Sequence, residues 1–500
     1  MALAEQMGEV LASTATSVNM RERLDFSCAV FDGTGQLIAN APHVPVHLGA
    51  MGQSVRAIMA AWGRDLQPGD AFVLNNPYNG GTHLPDVTVI TPVFAGDTAE
   101  PVAFVANRGH QADIGGTTPG SSPPHATCLE EEGVVLDNVL LVRGGVIDEA
   151  GMRRLLTGAL WPARNPDANL ADLRAQVAAN MAGARDMAGL IARHGLGEVT
   201  AYMAHVLDNG EAAVRGALAG LAGGRFETRL DDGRPIVVTV SVDRAAGRAT
   251  IDFTGTGGQD GGNFNAPAAV TRAVVLYALR ALVGRDIPLN DGCLAPVNLV
   301  IPKGSLLDPD PGRAVVAGNT EISQQALNVL LAALGAAAAA QGTMNNFLFG
   351  NDRHQYYETI GGGMGAGPGF DGAGPVQCHM TNTRITDPEV LETRLPVRLE
   401  RFGPRPGSGG AGRWHGGDGA VRAVRALEPM VATLVSSSRV AAPFGMAGGE
   451  AGAPGRQWIE RAYGRIEPLT GRAEAALETG DLIVIETPGG GGWGAPPTRE

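Results

Sequence analysis

The sequence predicts an α+β, mixed α/β multidomain fold: a β-rich N-terminal domain over residues 1–150, a helical segment over 151–225, and a glycine-rich mixed α/β region over 226–500. Three observations carry that prediction. At 500 residues the chain exceeds what one ordinary core holds. Short runs of alternating apolar residues, punctuated by turn residues, fill the first third. Between residues 169 and 221, Leu173, Val177, Met181 and Ala184, then Val199, Met203, Val206 and Leu207, recur at the three- to four-residue spacing of packing helices.

In chain order, residues 1–23 read as a short amphipathic helix. Residues 24–31 and 36–39 flank Asp32-Gly33-Thr34-Gly35, which is a β-hairpin pattern. Asp25 stands in the first of those strands, where a buried acid requires a partner. Residues 42–49 read as extended and proline-punctuated, carrying His43 and His47, and a helix is expected over 51–62. The β-branched runs 87–94 and 102–106 read as adjacent antiparallel strands, and a second hairpin is expected over 236–242 and 249–253. Helices are expected over 268–283 and 322–340, with Gly318-Asn319-Thr320-Glu321 as the cap of the latter. The glycine-rich stretches at 361–369, 407–412 and 489–494 lack a strand–Gly-x-Gly-x-x-Gly–helix context, so tight packing explains them better than phosphate binding.

Composition removes several classes of function. A formal charge of −13 opposes a nucleic-acid footprint. Lys303 is the only lysine, which rules out a Gly-x-x-x-x-Gly-Lys phosphate loop and restricts Schiff-base chemistry to that position. Cys28, Cys128, Cys293 and Cys378 are scattered without a Cys-x-x-Cys pair, pointing to a reducing compartment. No leader-like N-terminus and no long uninterrupted apolar run are evident, so a cytoplasmic protein without membrane association is expected.

The chemistry gathers in the N-terminal region. His43, His47, His83, His110 and His125, five of the ten histidines, fall within residues 43–125. Two His-x-x-Asp units, His83/Asp86 and His110/Asp113, sit in frames of Gly, Pro and Asn, and Pro85 excludes a regular helix for the first. Antiparallel pairing of the intervening strands brings the two units to one sheet edge. As loop residues they satisfy turn backbone; as imidazole and carboxylate ligands they suit a divalent cation such as Zn, Mn or Fe. Asp25, His83, Asp86 and His110 form the mixed N/O set expected to hold such an ion, leaving room for a water of lowered pKa. Asp113 is expected to support a ligand histidine through its second ring nitrogen. His47 and His125 are the general acid/base candidates. No Gly-x-Ser-x-Gly elbow occurs, and His379 is the only histidine beside a cysteine, Cys378.

The strings Arg23-Leu24-Asp25-Phe26-Ser27-Cys28-Ala29, Pro45-Val46-His47-Leu48-Gly49, Gly80-Gly81-Thr82-His83-Leu84-Pro85-Asp86-Val87 and Asn107-Arg108-Gly109-His110 resemble the hydantoinase B/oxoprolinase family. So do Gly342-Thr343-Met344-Asn345-Asn346, His379-Met380-Thr381-Asn382-Thr383-Arg384, Ser408-Gly409-Gly410-Ala411-Gly412 and Thr487-Pro488-Gly489-Gly490-Gly491-Gly492. The resemblance runs in order along essentially the whole chain, with a start that looks shorter than the family's N-terminal helix. It implies a metal-dependent subunit of an ATP-dependent cyclic-amide hydrolase of the hydantoinase or 5-oxoprolinase type. It also implies a hydantoinase A-like ATPase subunit as partner, in a hetero-oligomer such as α2β2, which uses the ATP and phosphorylates the substrate carbonyl. The family's metal ligands map onto Asp25, His83, Asp86 and His110. Two other classes remain: the large subunit of an acetone-type ketone carboxylase, and a non-catalytic scaffold for the ATPase.

Overall fold

The computed structural model describes residues 1–96 and 98–496. Its first layer is a seven-stranded antiparallel sheet in the order β2-β1-β5-β4-β3-β6-β7. The strands are β1 (Phe26–Asp32), β2 (Leu37–Asn40), β3 (Ala71–Leu74), β4 (Asp86–Val93), β5 (Ala103–His110), β6 (Val139–Arg143) and β7 (Val146–Ile147). Both faces of its centre are covered, so β4 and β5 are buried along their full length. Strand alternation separates the two cores. Cys28, Val30 and Val105 point towards α1 (Ala2–Thr14), whereas Ala29, Phe31, Phe104 and Ala106 point towards the apolar face of a helix over Pro45–Trp62.

The N-terminal helical reading divides in two. Thr14 ends α1, and α2 (Val18–Arg21) starts at Ser17, whose hydroxyl accepts from Met20 N. The next helix, α3 (Pro45–Trp62), begins six residues earlier than the sequence suggested. Proline at the first helical position lacks only an N–H that a helix leaves unpaired there, so the proline that looked like a breaker is a starter. His47 is therefore on the first turn of a helix rather than in an extended segment.

After α4 (Glu149–Thr157), the helical stretch forms α5 (Pro166–His194) and α6 (Leu196–Ala219). Helix α5 lies across the first sheet: Gln176 Nε2 donates to Val87 O at 2.8 Å and Asn180 Nδ2 to Val89 O at 2.9 Å. The second sheet, in the order β11-β10-β9-β8, contains β8 (Gly224–Arg229), β9 (Pro235–Asp243), β10 (Arg248–Asp252) and β11 (Val297–Val300). The expected hairpin is β9–β10. Helices α6 and α8 (Ser323–Ala333) pack on this sheet, and α7 (Ala268–Val283) packs against α8. Helix α8 is shorter than expected: Gly335, at φ +64°, turns the chain before residue 340, and residues 318–322 form a π-helical turn instead of a cap.

The C-terminal part is a sandwich flanked by α9 (Pro388–Arg394). One sheet has β12 (Asn346–Gly350), β13 (Gln355–Thr359), β16 (Met430–Val435) and β19 (Arg472–Leu477). The other has β14 (Val397–Arg405), β15 (Gly419–Ala426), β17 (Arg456–Glu460), β18 (Ile466–Leu469) and β20 (Leu482–Glu486). Phe347, Phe349 and Leu434 meet Val424, Ile459 and Ile483 between them. The three late glycine stretches converge: a Cβ on Gly363 would strike Gly417 O and Gly490 N, and one on Gly490 would strike Met364 O. Close backbone approach is what those glycines permit.

Candidate metal centre

The turn that carries His83 and Asp86 is built by asparagines and two obligatory glycines. Asn76 caps the 3-10 turn Pro77–Asn79 by accepting from Tyr78 N, and Asn75 Nδ2 donates to Leu84 O and Val134 O. Gly80 has φ +91°, and a Cβ on Gly81 would strike the Asn75 carbonyl. The chain thus returns tightly into β4, with Asp86 N donating to His83 O at 3.1 Å.

Register then assembles the centre. Asp86 pairs with His110 across β4 and β5, and His110 N donates to the Asp25 carbonyl at 3.0 Å. Three neighbouring strand ends therefore present Asp25, Asp86 and His110 together. Donor atoms of His83, Asp86 and His110 all lie within 4.8 Å of one another, and all three residues are buried. Asp25 lines the same small cavity, of about 20 Å³, along with His47, Asn319 and Tyr357. Its carboxylate stands 3.7 Å from Arg23 Nη1.

Hydrogen bonds leave donors free on the inner side. Asp86 Oδ2 accepts from Thr82 Oγ1 at 2.7 Å and lies 2.8 Å from His83 Nδ1. Its Oδ1 is 3.0 Å from His47 Nε2 but out of line for a hydrogen bond, and has no partner. His110 Nδ1 lies 2.9 Å from the Gln111 carbonyl and 3.1 Å from Asn19 Nδ2, so both of its hydrogen-bonding contacts are made at that corner; Nε2 is buried and unpartnered. Asn319 Nδ2 reaches both His83 Nδ1, at 3.2 Å, and Asp86 Oδ2, at 3.4 Å. Arg108, buried beneath, holds Thr82 Oγ1, Thr88 Oγ1, Ser54 Oγ and the Gly80 carbonyl.

Electrostatics favour ligand-ready forms. Burial pushes His110 down to about 4, so its imidazole is neutral at ordinary pH. Burial raises the Asp86 carboxyl, but His47 and His83 beside it outweigh that effect and hold it well below the usual carboxylate range. A carboxylate oxygen and an imidazole nitrogen, both buried in one cluster and without a hydrogen bond, would be costly unless filled. Two nitrogens and an oxygen at this separation fit a divalent cation.

Other expectations are corrected. Asp113 does not hold a ligand histidine: β5 ends at His110, and the Asp113 carboxylate instead accepts from Gly115 N, Gly120 N, Arg164 N and Arg164 Nη1 at 2.9–3.1 Å. His125 is exposed on the loop after Pro124 and does not line the cavity. Cys378 Sγ faces Val376 O rather than His379. Asn319 is a site residue, where its sequence context suggested only a helix cap. Tyr357 gave no signal beyond strand alternation.

Comparison with known proteins follows the same outline. Residues 1–496 match the family model described as Hydantoinase B/oxoprolinase. Over 99% of its length the chain is 48% identical to 5-oxoprolinase 1 of Arabidopsis thaliana, and 43% identical to the 5-oxoprolinase of Saccharomyces cerevisiae. It spans only 41% of the length of each of those two relatives. A putative D-/L-hydantoinase subunit of Pseudomonas sp. is 29% identical, with 100% of this chain and 88% of that protein covered. Among solved structures, the ATP-dependent caprolactamase from Pseudomonas jessenii superposes with a TM-score of 0.89 at 24% identity, covering 100% of this chain and 90% of that one. A nucleotide-free acetone carboxylase structure gives 0.89 at 16% identity, covering 100% and 75%.

Proposed function

The chain belongs to the hydantoinase B/oxoprolinase family, and from that premise we propose that it is the metal-bearing part of an ATP-dependent enzyme that opens cyclic amides of the hydantoin or 5-oxoproline type. One observation carries the reading: a buried His83/Asp86/His110 cluster in which Asp86 Oδ1 and His110 Nε2 make no hydrogen bond within the protein. Asp25, at the cavity wall, completes the proposed ligand set. A divalent Mn, Zn or Fe ion bound there would supply Lewis acidity and lower the pKa of water.

The residues of this chain do the orienting. Thr82 and Asn319 hold Asp86 Oδ2, and the Gln111 carbonyl and Asn19 hold the Nδ1 side of His110. His47 is assigned the proton-carrying role, with Nε2 against Asp86 Oδ1 at the cavity wall. An amide carbonyl is a poor electrophile, so we assign its activation to a hydantoinase A-like ATPase partner that phosphorylates the carbonyl oxygen. Water then adds at that carbon, the ring C–N bond breaks, and the nitrogen leaves as an amine with a proton. Hydrolysis of the resulting acyl phosphate releases phosphate. The absence of a lysine-containing phosphate loop supports placing ATP use outside this region, either on a partner in a hetero-oligomer such as α2β2 or elsewhere on a longer polypeptide.

The competing reading is the large subunit of a ketone carboxylase, which the shared fold with acetone carboxylase keeps in play. Identity of 48% to a 5-oxoprolinase, against 16% for the carboxylase, favours the hydrolase. The deciding experiment co-expresses the chain with an ATPase-like partner and follows phosphate release with hydantoin, 5-oxoproline, lactams, and ketones plus bicarbonate. Ring opening of a cyclic amide is expected, with His83→Ala lowering turnover at least ~100-fold. Bicarbonate-dependent ketone consumption, or undiminished turnover in His83→Ala, would overturn the reading.

A further inference from the structure

Every proposed ligand lies between residues 25 and 110, yet both imidazoles of the His83/Asp86/His110 cluster are oriented from residues beyond 300. Asn319 faces His83, and Tyr357 on β13 faces His110. The Tyr357 ring lies flat on the His110 imidazole, with centroids 4.5 Å apart and planes 1° from parallel. An imidazole is broadly free about its outer torsion, and the Gln111 carbonyl and Asn19 Nδ2 both hold its Nδ1 corner, at 2.9 and 3.1 Å, which leaves the edge that carries Nε2 without a polar contact. A flat ring against the imidazole face supplies the missing restraint.

The tyrosine is itself tied down. Its hydroxyl donates to Asn346 Oδ1 at 2.9 Å, and Asn346 Nδ2 donates to Glu321 Oε1 at 2.8 Å and to Val435 O at 2.7 Å. Glu321 also accepts from Ser437 Oγ and Met344 N, and it sits on the same π-helical turn as Asn319. Arg23, whose guanidinium lies 4.8 Å from the Tyr357 ring centroid, donates to the Tyr357 carbonyl at 2.8 Å. The residue is 3% exposed.

We propose that Tyr357 is a positioning residue for His110: its ring fixes the imidazole plane, and its hydroxyl, anchored on Asn346, fixes the ring. The inference rests on the metal reading above and adds to it that the C-terminal half sets the geometry of a centre whose ligands are all N-terminal. Titration of the metal-free full chain with Co²⁺, followed by the visible d–d bands, tests it. Wild type is expected to bind with a defined spectrum. Tyr357→Leu, which removes the flat face, should bind about 10–100-fold more weakly with shifted bands. Tyr357→Phe keeps the face and loses one hydrogen bond, so a loss of about 5-fold is expected; this variant decides the case even if the leucine variant does not fold. Wild-type affinity and spectrum in the folded variants would overturn the positioning role while leaving the metal reading intact. A wild-type chain that binds no Co²⁺ would overturn both.

Discussion

Asp86 opens β4 and Asp113 lies just past the end of β5; both are buried, and they differ in what fills their oxygens. Asp113 has both oxygens saturated by three backbone N–H groups and the Arg164 guanidinium. Asp86 keeps Oδ1 free beside an equally free His110 Nε2. The two therefore respond differently to substitution. Asp113→Ala is expected to lower stability by about 1–3 kcal/mol in urea unfolding, because it strands buried donors, and to leave metal content unchanged. Loss of bound metal in that variant while the fold persists would move Asp113 back towards the centre. In the sequence the two His-x-x-Asp units look equivalent; hydrogen bonding separates them, because only Asp86 and His110 lie on the paired strands.

Strand pairing made His83, Asp86 and His110 legible: two β-branched runs joined by a turn place their outer ends together in any antiparallel register. Asn319 and Tyr357 were obscure for the opposite reason, since they arrive from elements whose packing no local pattern encodes; His47 stood out as an acid/base candidate, but in a segment read as extended. Pro45 read as a break where it starts α3, and Gly318–Ile322 read as a cap where it forms a π-helical turn. The residues leading into that turn are held by Glu132 of the N-terminal domain, whose buried carboxyl accepts from Val315 N and Val316 N. Burial pushes Glu132 up to about 8. Between its ordinary value near 4.5 and about 8, the folded state binds more protons than the unfolded one, so stability falls as pH rises through that window. The imidazoles of His43, His110 and His379, pushed down to about 4 by burial, oppose that slope while the unfolded imidazole near 6.5 is still titrating, and their contribution fades above pH ~7.5. The melting temperature should thus decline above pH ~7.5 as the medium approaches the Glu132 value of about 8, and Glu132→Gln should flatten that decline. A wild-type slope retained in the variant would remove Glu132 as its source.

At the scale of the whole molecule, the centre is a joint. The N-terminal sheet supplies the candidate donors, the π-helical turn and the C-terminal sandwich supply their orientation, and the glycine stretches let the sandwich loops close on one another. No helix among the described residues is long and apolar enough to cross a membrane. The plant and yeast 5-oxoprolinases extend well beyond the matched region, whereas the Pseudomonas hydantoinase subunit is matched over most of its length. The matched region thus occurs within long polypeptides and as a shorter chain. The most direct test of a metal-dependent centre is the metal content of the purified chain, by elemental mass spectrometry, for wild type and Asp86→Ala. About one divalent ion per wild-type chain is expected, lost in the variant while the fold is retained. A metal-free wild-type chain that sustains full ATP-coupled ring opening in the presence of chelator would contradict a metal-dependent centre.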